Sequence, residues 1–151
     1  MRISVQREDF DAGAEIRALS RDSRVGAVAS FVGVVREVAM TLEHYPGMTE
    51  RALRRIVEEA GSRWRVTDCT VVHRYGPLQP GEQIVLVVVA SAHRGEAFAA
   101  CEFIMDYLKT RAPFWKKERG PEGERWVEAR ACDDSAAERW QPRIAESKKL
   151  G

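Results

Sequence analysis

Residues 83–92 read Q-I-V-L-V-V-V-A-S-A, and from 84 to 90 no position is polar. Branched side chains crowd this run, which suits extended backbone better than helix. Because polar and apolar positions do not alternate, neither face of the strand is left for water. The run is therefore expected at the centre of a sheet covered on both sides. Residues 94–109 supply a cover: Ala97, Cys101, Ile104 and Leu108 recur at three- and four-residue steps, the spacing of one helix face. A second β-rich run, 67–75, precedes the first. The intervening G-P-L-Q-P-G-E predicts a turn, so the two runs are expected to pair as a hairpin.

Working outward, residues 3–6 predict a short strand and 12–19 an amphipathic helix with Ile16 and Leu19 on one side. The run V-G-A-V-A-S-F-V-G-V-V at 25–35 reads as a buried strand, with Gly26 and Gly33 marking bends or close backbone approach. A strand at 41–45 leads through Pro46-Gly47 into a helix at 48–64, apolar at Leu53, Ile56, Val57, Ala60 and Trp64. Glu50 and Arg54 stand one turn apart on its wet face. Beyond Pro113, strands are expected at 114–117 and 125–129 and a short helix at 135–140. Strands and helices mix without a regular βαβ rhythm, so the fold class is α+β. One domain is expected over 1–140, followed by a polar tail at 141–151.

Charge is nearly balanced, with 24 Lys and Arg against 23 Asp and Glu, so no global field favours nucleic acid or an anionic membrane. Any pull on anions has to be local. No apolar run approaches the roughly 18 residues of a membrane span, and the first residues lack the apolar core of a signal peptide. A soluble, cytoplasmic protein is expected. Cys69, Cys101 and Cys132 form no C-x-x-C pair, and His44, His73 and His93 have no ligand spacing, so neither a metal nor another cofactor is expected. Glu43 and His44 alternate along a strand and face opposite sides, which makes them structural rather than an acid–base pair.

The residues that point to chemistry lie in L-K-T-R-A-P-F-W-K-K-E, 108–118, where Lys109, Arg111, Lys116 and Lys117 surround Pro113, Phe114 and Trp115. Cations beside rigid aromatic rings suit a flat anionic ligand. Proline lacks an amide donor and pushes its predecessor out of the helical region, so Lys109 and Lys116 belong to different elements and converge from two directions. Residues 31–36 and 91–94 also put cations at element boundaries, where scaffold is rigid and backbone accessible. Two plainer readings stand beside this one. The cations are solvated loop charges, or they serve a non-catalytic anion- or phosphate-binding adaptor.

F-V-G-V-V-R (31–36), L-E-H-Y-P-G-M (42–48), S-A-H-R (91–94), F-I-M-D-Y-L-K-T-R-A-P-F-W-K (103–116) and R-W-V-E-A (125–129) resemble the large, catalytic subunit family of molybdopterin synthase. The resemblance runs from about residue 31 to 140. It implies an α/β-hammerhead-like fold and sulfur transfer from the thiocarboxylated C-terminus of a small ubiquitin-like carrier protein to cyclic pyranopterin monophosphate (precursor Z). The product is the molybdopterin dithiolene. It also implies a homodimer within a heterotetramer. By motif, Lys109 is similar to the catalytic lysine that meets the carrier's terminal glycine, and Lys116 to its companion at the pterin. Arg36, His93 and Arg94 match substrate-pocket residues, Arg130 an arginine reached from the neighbouring protomer, and Phe31 and Met105 residues lining the pocket. One departure lies between Arg36 and Thr41, where relatives carry a longer glycine-containing loop; it is either trimmed or incompletely represented here. Cys69 in a strand and Cys101 on an apolar helix face are poor sulfur carriers, which fits sulfur delivered by a partner.

Overall fold

The computed structural model describes residues 1–120, 123–127 and 131–141. In chain order the elements are β1 (Arg2–Gln6), α1 (Ala12–Leu19), β2 (Ala27–Val34), β3 (Met40–His44), α2 (Met48–Arg63), β4 (Asp68–Arg74), β5 (Gly76–Leu78), β6 (Gln83–Ser91), α3 (Arg94–Arg111), β7 (Phe114–Gly120), β8 (Gly123–Val127) and α4 (Ala131–Glu138). They build two four-stranded sheets, sheet A in the order β1-β4-β6-β2 and sheet B in the order β5-β3-β7-β8. In sheet A, β1 runs parallel to β4 while β6 pairs antiparallel with both β4 and β2; the sheet B pairs are antiparallel. This is the mixed, helix-covered α+β architecture expected from the sequence.

β6 is an inner strand, and from Val85 to Ala90 each side chain is at most 1 % exposed. Val85, Val87 and Val89 enter the larger core with α2 and α3, while Leu86, Val88 and Ala90 enter a second core with Leu19 and Ile16 of α1. Period-two alternation thus sends one strand into two dry layers, which is why its sequence shows no polar position. Burying a side chain of this size contributes roughly 1.5–3 kcal/mol. A third, smaller cluster of Val35, Met40, Leu42 and Leu78 joins the sheets.

The glycines of the β2 run act as anticipated. A Cβ on Gly26 would stand 2.3 Å from the Ala92 carbonyl oxygen, and one on Gly33 2.8 Å from a Val85 methyl, where the β2–β6 register shifts. The β4–β6 pairing also holds, but the connection is more than a turn, since Gly76–Leu78 forms β5 against β3. Proline is tolerated there because β5 is an edge strand. Glu50 departs from expectation too: its carboxylate accepts the Gly47 N–H at 2.6 Å and caps α2, while the i,i+4 ion pair on this helix is Glu59 with Arg63 at 2.9 Å. α4 begins four residues before the expected start at 135, and β8 begins at Gly123, two residues before the expected 125, while 128 and 129 of that expected strand lie outside the described residues. The tail from 142 lies outside the described residues. Among those described, no helix is long and apolar enough to cross a membrane.

Candidate active site at the joint between α3 and β7

α3 ends at Arg111, Ala112 turns extended at φ −79° and ψ 135°, and β7 starts at Phe114. Proline at 113 enforces that break by removing an amide donor and restricting its predecessor. Lys109 therefore stands in the last helical turn, where a cation favours the negative end of the helix dipole. Lys116 lies on the strand. Opposed residues of an antiparallel pair share a face, so pairing with β3 puts Phe114, Lys116 and Glu118 on the face of His44, Leu42 and Met40. Met40 and Leu42 are buried, so this is the inner face of sheet B.

The four cations of the 108–118 segment sort by these contacts. Arg111 lies over the Tyr107 ring at 3.8 Å and Lys117 over Trp126 at 4.4 Å, so each is engaged with its own aromatic partner. Lys116 is half-buried and pairs with Glu118 at 3.0 Å. Lys109 is exposed, and its charge bears on His73, whose ring stacks on Phe114 at 3.7 Å. Phe114 thus stacks on His73 between the last turn of α3, which carries Lys109, and the inner-face position of Lys116 on β7. Trp115, on the other face of β7, meets Tyr45 edge-on at 4.2 Å.

Burial decides which groups here titrate. The His73 imidazole is pushed down to about 3, chiefly by desolvation, with the charges of Lys109 and His44 acting in the same direction. Burial pushes the thiols of Cys69 and Cys101 up to about 12 and about 11, so neither is a thiolate near neutrality. The side chain of Cys132 lies outside what is described. Glu43 is exposed on the outer face and His44 turns inward against Tyr75 at 4.4 Å, the opposite facing expected of them. No group of three potential metal ligands occurs among the described residues.

The other expected pocket residues are scattered. Arg36 is exposed at a tight turn in which the Val38 N–H donates to the Arg36 carbonyl at 2.7 Å and Glu37 takes φ +66°. Phe31 is 41 % exposed on β2, whereas Met105 is 8 % exposed and packs in the larger core. Arg130 lies outside the described residues. His93 occupies the N-cap position of α3 without a side-chain capping hydrogen bond and Arg94 is the helix's first residue, both exposed. Fifteen residues of helix separate Arg94 from Lys109, about 22 Å at 1.5 Å per residue. Side chains on one helix cannot close that gap. His73, which sequence spacing set aside only as a metal ligand, stacks on Phe114 at the start of β7 and feels the charge of Lys109. Its signal was the alternation Cys69, Val71, His73, which places it on the core face.

These features define an α+β protein whose helix-to-strand joint carries two lysines and a stacked Phe114–His73 pair, a site fit to receive an anionic group and stabilise developing negative charge. The model of the MoaE protein family matches residues 5–111. The molybdopterin synthase catalytic subunit of Ralstonia nicotianae is 60% identical over 91% of this chain and 83% of its own length. The solved molybdopterin biosynthesis MoaE protein of Burkholderia ambifaria is 59% identical, superposes with a TM-score of 0.82, and is matched over 93% of this chain and 98% of its own. At 18% identity and a TM-score of 0.71, covering 85% of this chain and 91% of the other, the fold is shared with a chain in a complex of subunits 1 and 2 of molybdopterin-converting factor from Helicobacter pylori. The chain belongs to the MoaE protein family, the family of molybdopterin synthase catalytic subunits.

Proposed function

We propose that this chain transfers sulfur from the thiocarboxylated C-terminus of a small ubiquitin-like carrier to precursor Z, with Lys109 and Lys116 as its catalytic residues. The observation that carries this reading is the placing of Phe114, stacked on His73, between the last turn of α3, which carries Lys109, and the inner-face position of Lys116 on β7. Lys109, in the exposed last turn, attracts the carrier's anionic tail and stabilises the oxyanion formed when its acyl carbon is attacked. Lys116 holds the pterin side, its charge tempered by Glu118. No thiolate of Cys69 or Cys101 is needed, because sulfur arrives on the partner. Reduced, buried thiols also accord with a cytoplasmic setting.

The remaining ligands come from two chains. Arg36 and Phe31 belong to the substrate pocket by motif, as do Met105, His93, Arg94 and Arg130, yet about 22 Å of helix parts Arg94 from Lys109. A homodimer resolves this by bringing His93 and Arg94 of one protomer towards the lysines of the other, with a carrier docked on each to make a heterotetramer. Guanidinium groups there bind the substrate's cyclic phosphate bidentately.

Reconstitution with thiocarboxylated carrier and precursor Z, followed by detection of molybdopterin, tests the reading; absence of product from intact protein sinks it. Mixed dimers of Lys109→Ala and Arg94→Ala chains test the sharing. One of two sites is then intact, so activity returns to about half that of wild type. If both residues serve a site within one chain, none returns.

A further inference from the structure

Three residues before Lys109 on α3, the Asp106 carboxylate is committed to a distant part of the chain. Its Oδ2 accepts the Trp140 indole N–H at 2.6 Å and an Arg139 N–H at 2.8 Å, and the side chain is only 16 % exposed. Arg139 also donates to Glu102, one turn earlier on the same helix. The Trp140 ring stands edge-on to Trp64 at 5.4 Å and to Phe103 at 5.7 Å, and Ala137 of α4 is buried in the larger core. From α2, Arg63 lies over Phe103 at 4.7 Å and donates to the Trp140 carbonyl at 2.5 Å. The end of α4 is thus pinned to α2 and α3 by ring packing and by charge-assisted hydrogen bonds.

This pin closes a loop. Between Asp106 and Trp140, 34 residues apart, the chain runs through the last turn of α3, the break at Pro113 and the β7–β8 hairpin before it re-enters helix at Ala131. β8 lies at the edge of sheet B, with β7 its only neighbour among the described strands. In the register of that pair Lys116 stands opposite Val127, the last residue of β8, and on its other side it faces Leu42 of β3. An edge strand frays from its ends, and the end of β8 beside Lys116 is the one that leads to α4. Fixing α4 on α3 closes the loop and takes that freedom away.

We propose that Asp106 and Trp140 are positioning residues for Lys116, forming a latch that holds the end of β8 in register and so fixes the place on β7 from which the lysine meets the pterin. This rests on the role of Lys116 proposed above. The indole N–H gives the latch a direction that packing lacks. A ring alone could slide over Trp64 and Phe103, whereas a hydrogen bond to one carboxylate oxygen sets its height along α3.

Three variants separate the latch from mere packing. Trp140→Phe keeps a ring and removes the N–H, Asp106→Ala removes the acceptor, and Asp106→Asn keeps a carbonyl oxygen for the indole. The primary readout is hydrogen exchange of the β8 amides bonded to β7, with the β6 amides of the same protein as the measure of global opening. Exchange in β8 is expected to speed about tenfold in Trp140→Phe and Asp106→Ala while β6 stays as in wild type, and Asp106→Asn recovers most of the protection. In reconstituted enzyme, KM for precursor Z rises about tenfold in the same two variants while KM for the carrier moves less than about twofold, and Asn restores it. Unchanged β8 exchange in Trp140→Phe, the variant that keeps the packing, overturns the proposal. So does exchange that speeds equally in β6 and β8, the mark of residues that only stabilise the fold. If β8 loosens selectively and KM for precursor Z does not move, Lys116→Ala decides. Lost turnover in that variant overturns the positioning role; retained turnover overturns the catalytic reading of Lys116 and leaves the latch standing.

Discussion

Sheet A and sheet B have four strands each and handle charge in opposite ways. In sheet A the central strand is dry on both sides, and the buried arginine at the end of β4, Arg74, is tied down by backbone carbonyls. In sheet B the inner face carries Lys116, Glu118, His44 and Phe114 alongside Leu42 and Met40. A charge placed in sheet A would have to be neutralised or paired at a cost of several kcal/mol. In sheet B the half-exposed Lys116 instead lies against a carboxylate, Glu118, at 3.0 Å. Dry packing and accessible charge are thus divided between the sheets, and α3, whose middle lies in the larger core, leads into β7 of sheet B.

The division is tested most severely at Lys109. Lys109→Ala is expected to lower molybdopterin formation about a thousandfold, roughly 4 kcal/mol of barrier, while a thermal melt moves by less than about 2 °C. Comparable loss of stability would break the separation. His73, where the two sheets meet, links it to pH. The unfolded chain, with a histidine near 6.5, binds a proton that the folded ring, near 3, refuses. Stability is therefore whole above pH 6.5 and is lost as pH falls towards 3, by roughly 3–5 kcal/mol from this group. Urea denaturation across that range should show a steeper decline for wild type than for His73→Phe.

Within sheet A, Leu86→Ala should cost about 2–5 kcal/mol in denaturant melts, with turnover per folded molecule unchanged. Gly26→Ala forces a methyl against the Ala92 carbonyl and is expected to cost about 1–3 kcal/mol by the same measurement. The smallest effect belongs to Lys117→Ala. Its contact with Trp126 is worth about 0.5–1 kcal/mol, and turnover should stay within about threefold of wild type. A large loss of activity there would put Lys117 back among the residues that meet the substrate.

Much of this was legible in the chain before any coordinates. The unbroken apolar run at 84–90 announced a doubly covered strand, and Pro113 announced that Lys109 and Lys116 sit on different elements. β5 was not legible, because G-P-L carries turn composition and becomes a strand only through β3 beside it. The scatter of the candidate site was hidden for a related reason. Motifs such as S-A-H-R and L-K-T-R-A-P report that residues matter together, yet only the length of α3 shows how far apart one chain holds them. Likewise, the stacking of His73 on Phe114 depends on where α3 delivers the start of β7, which its spacing from other histidines does not encode.

α3 can also be viewed as a gauge block. If its two ends serve different pockets of a dimer, its length sets the distance between them, and its helical phase sets the direction in which each end faces. Removing a full turn and a fraction, four residues, would shorten that distance by about 6 Å and leave both ends facing nearly as before. Removing two would swing one end by about 200° relative to the other. Insertions and deletions in this helix should therefore be tolerated by phase rather than by size, a constraint that acts on the assembled pair of chains and that neither end feels alone.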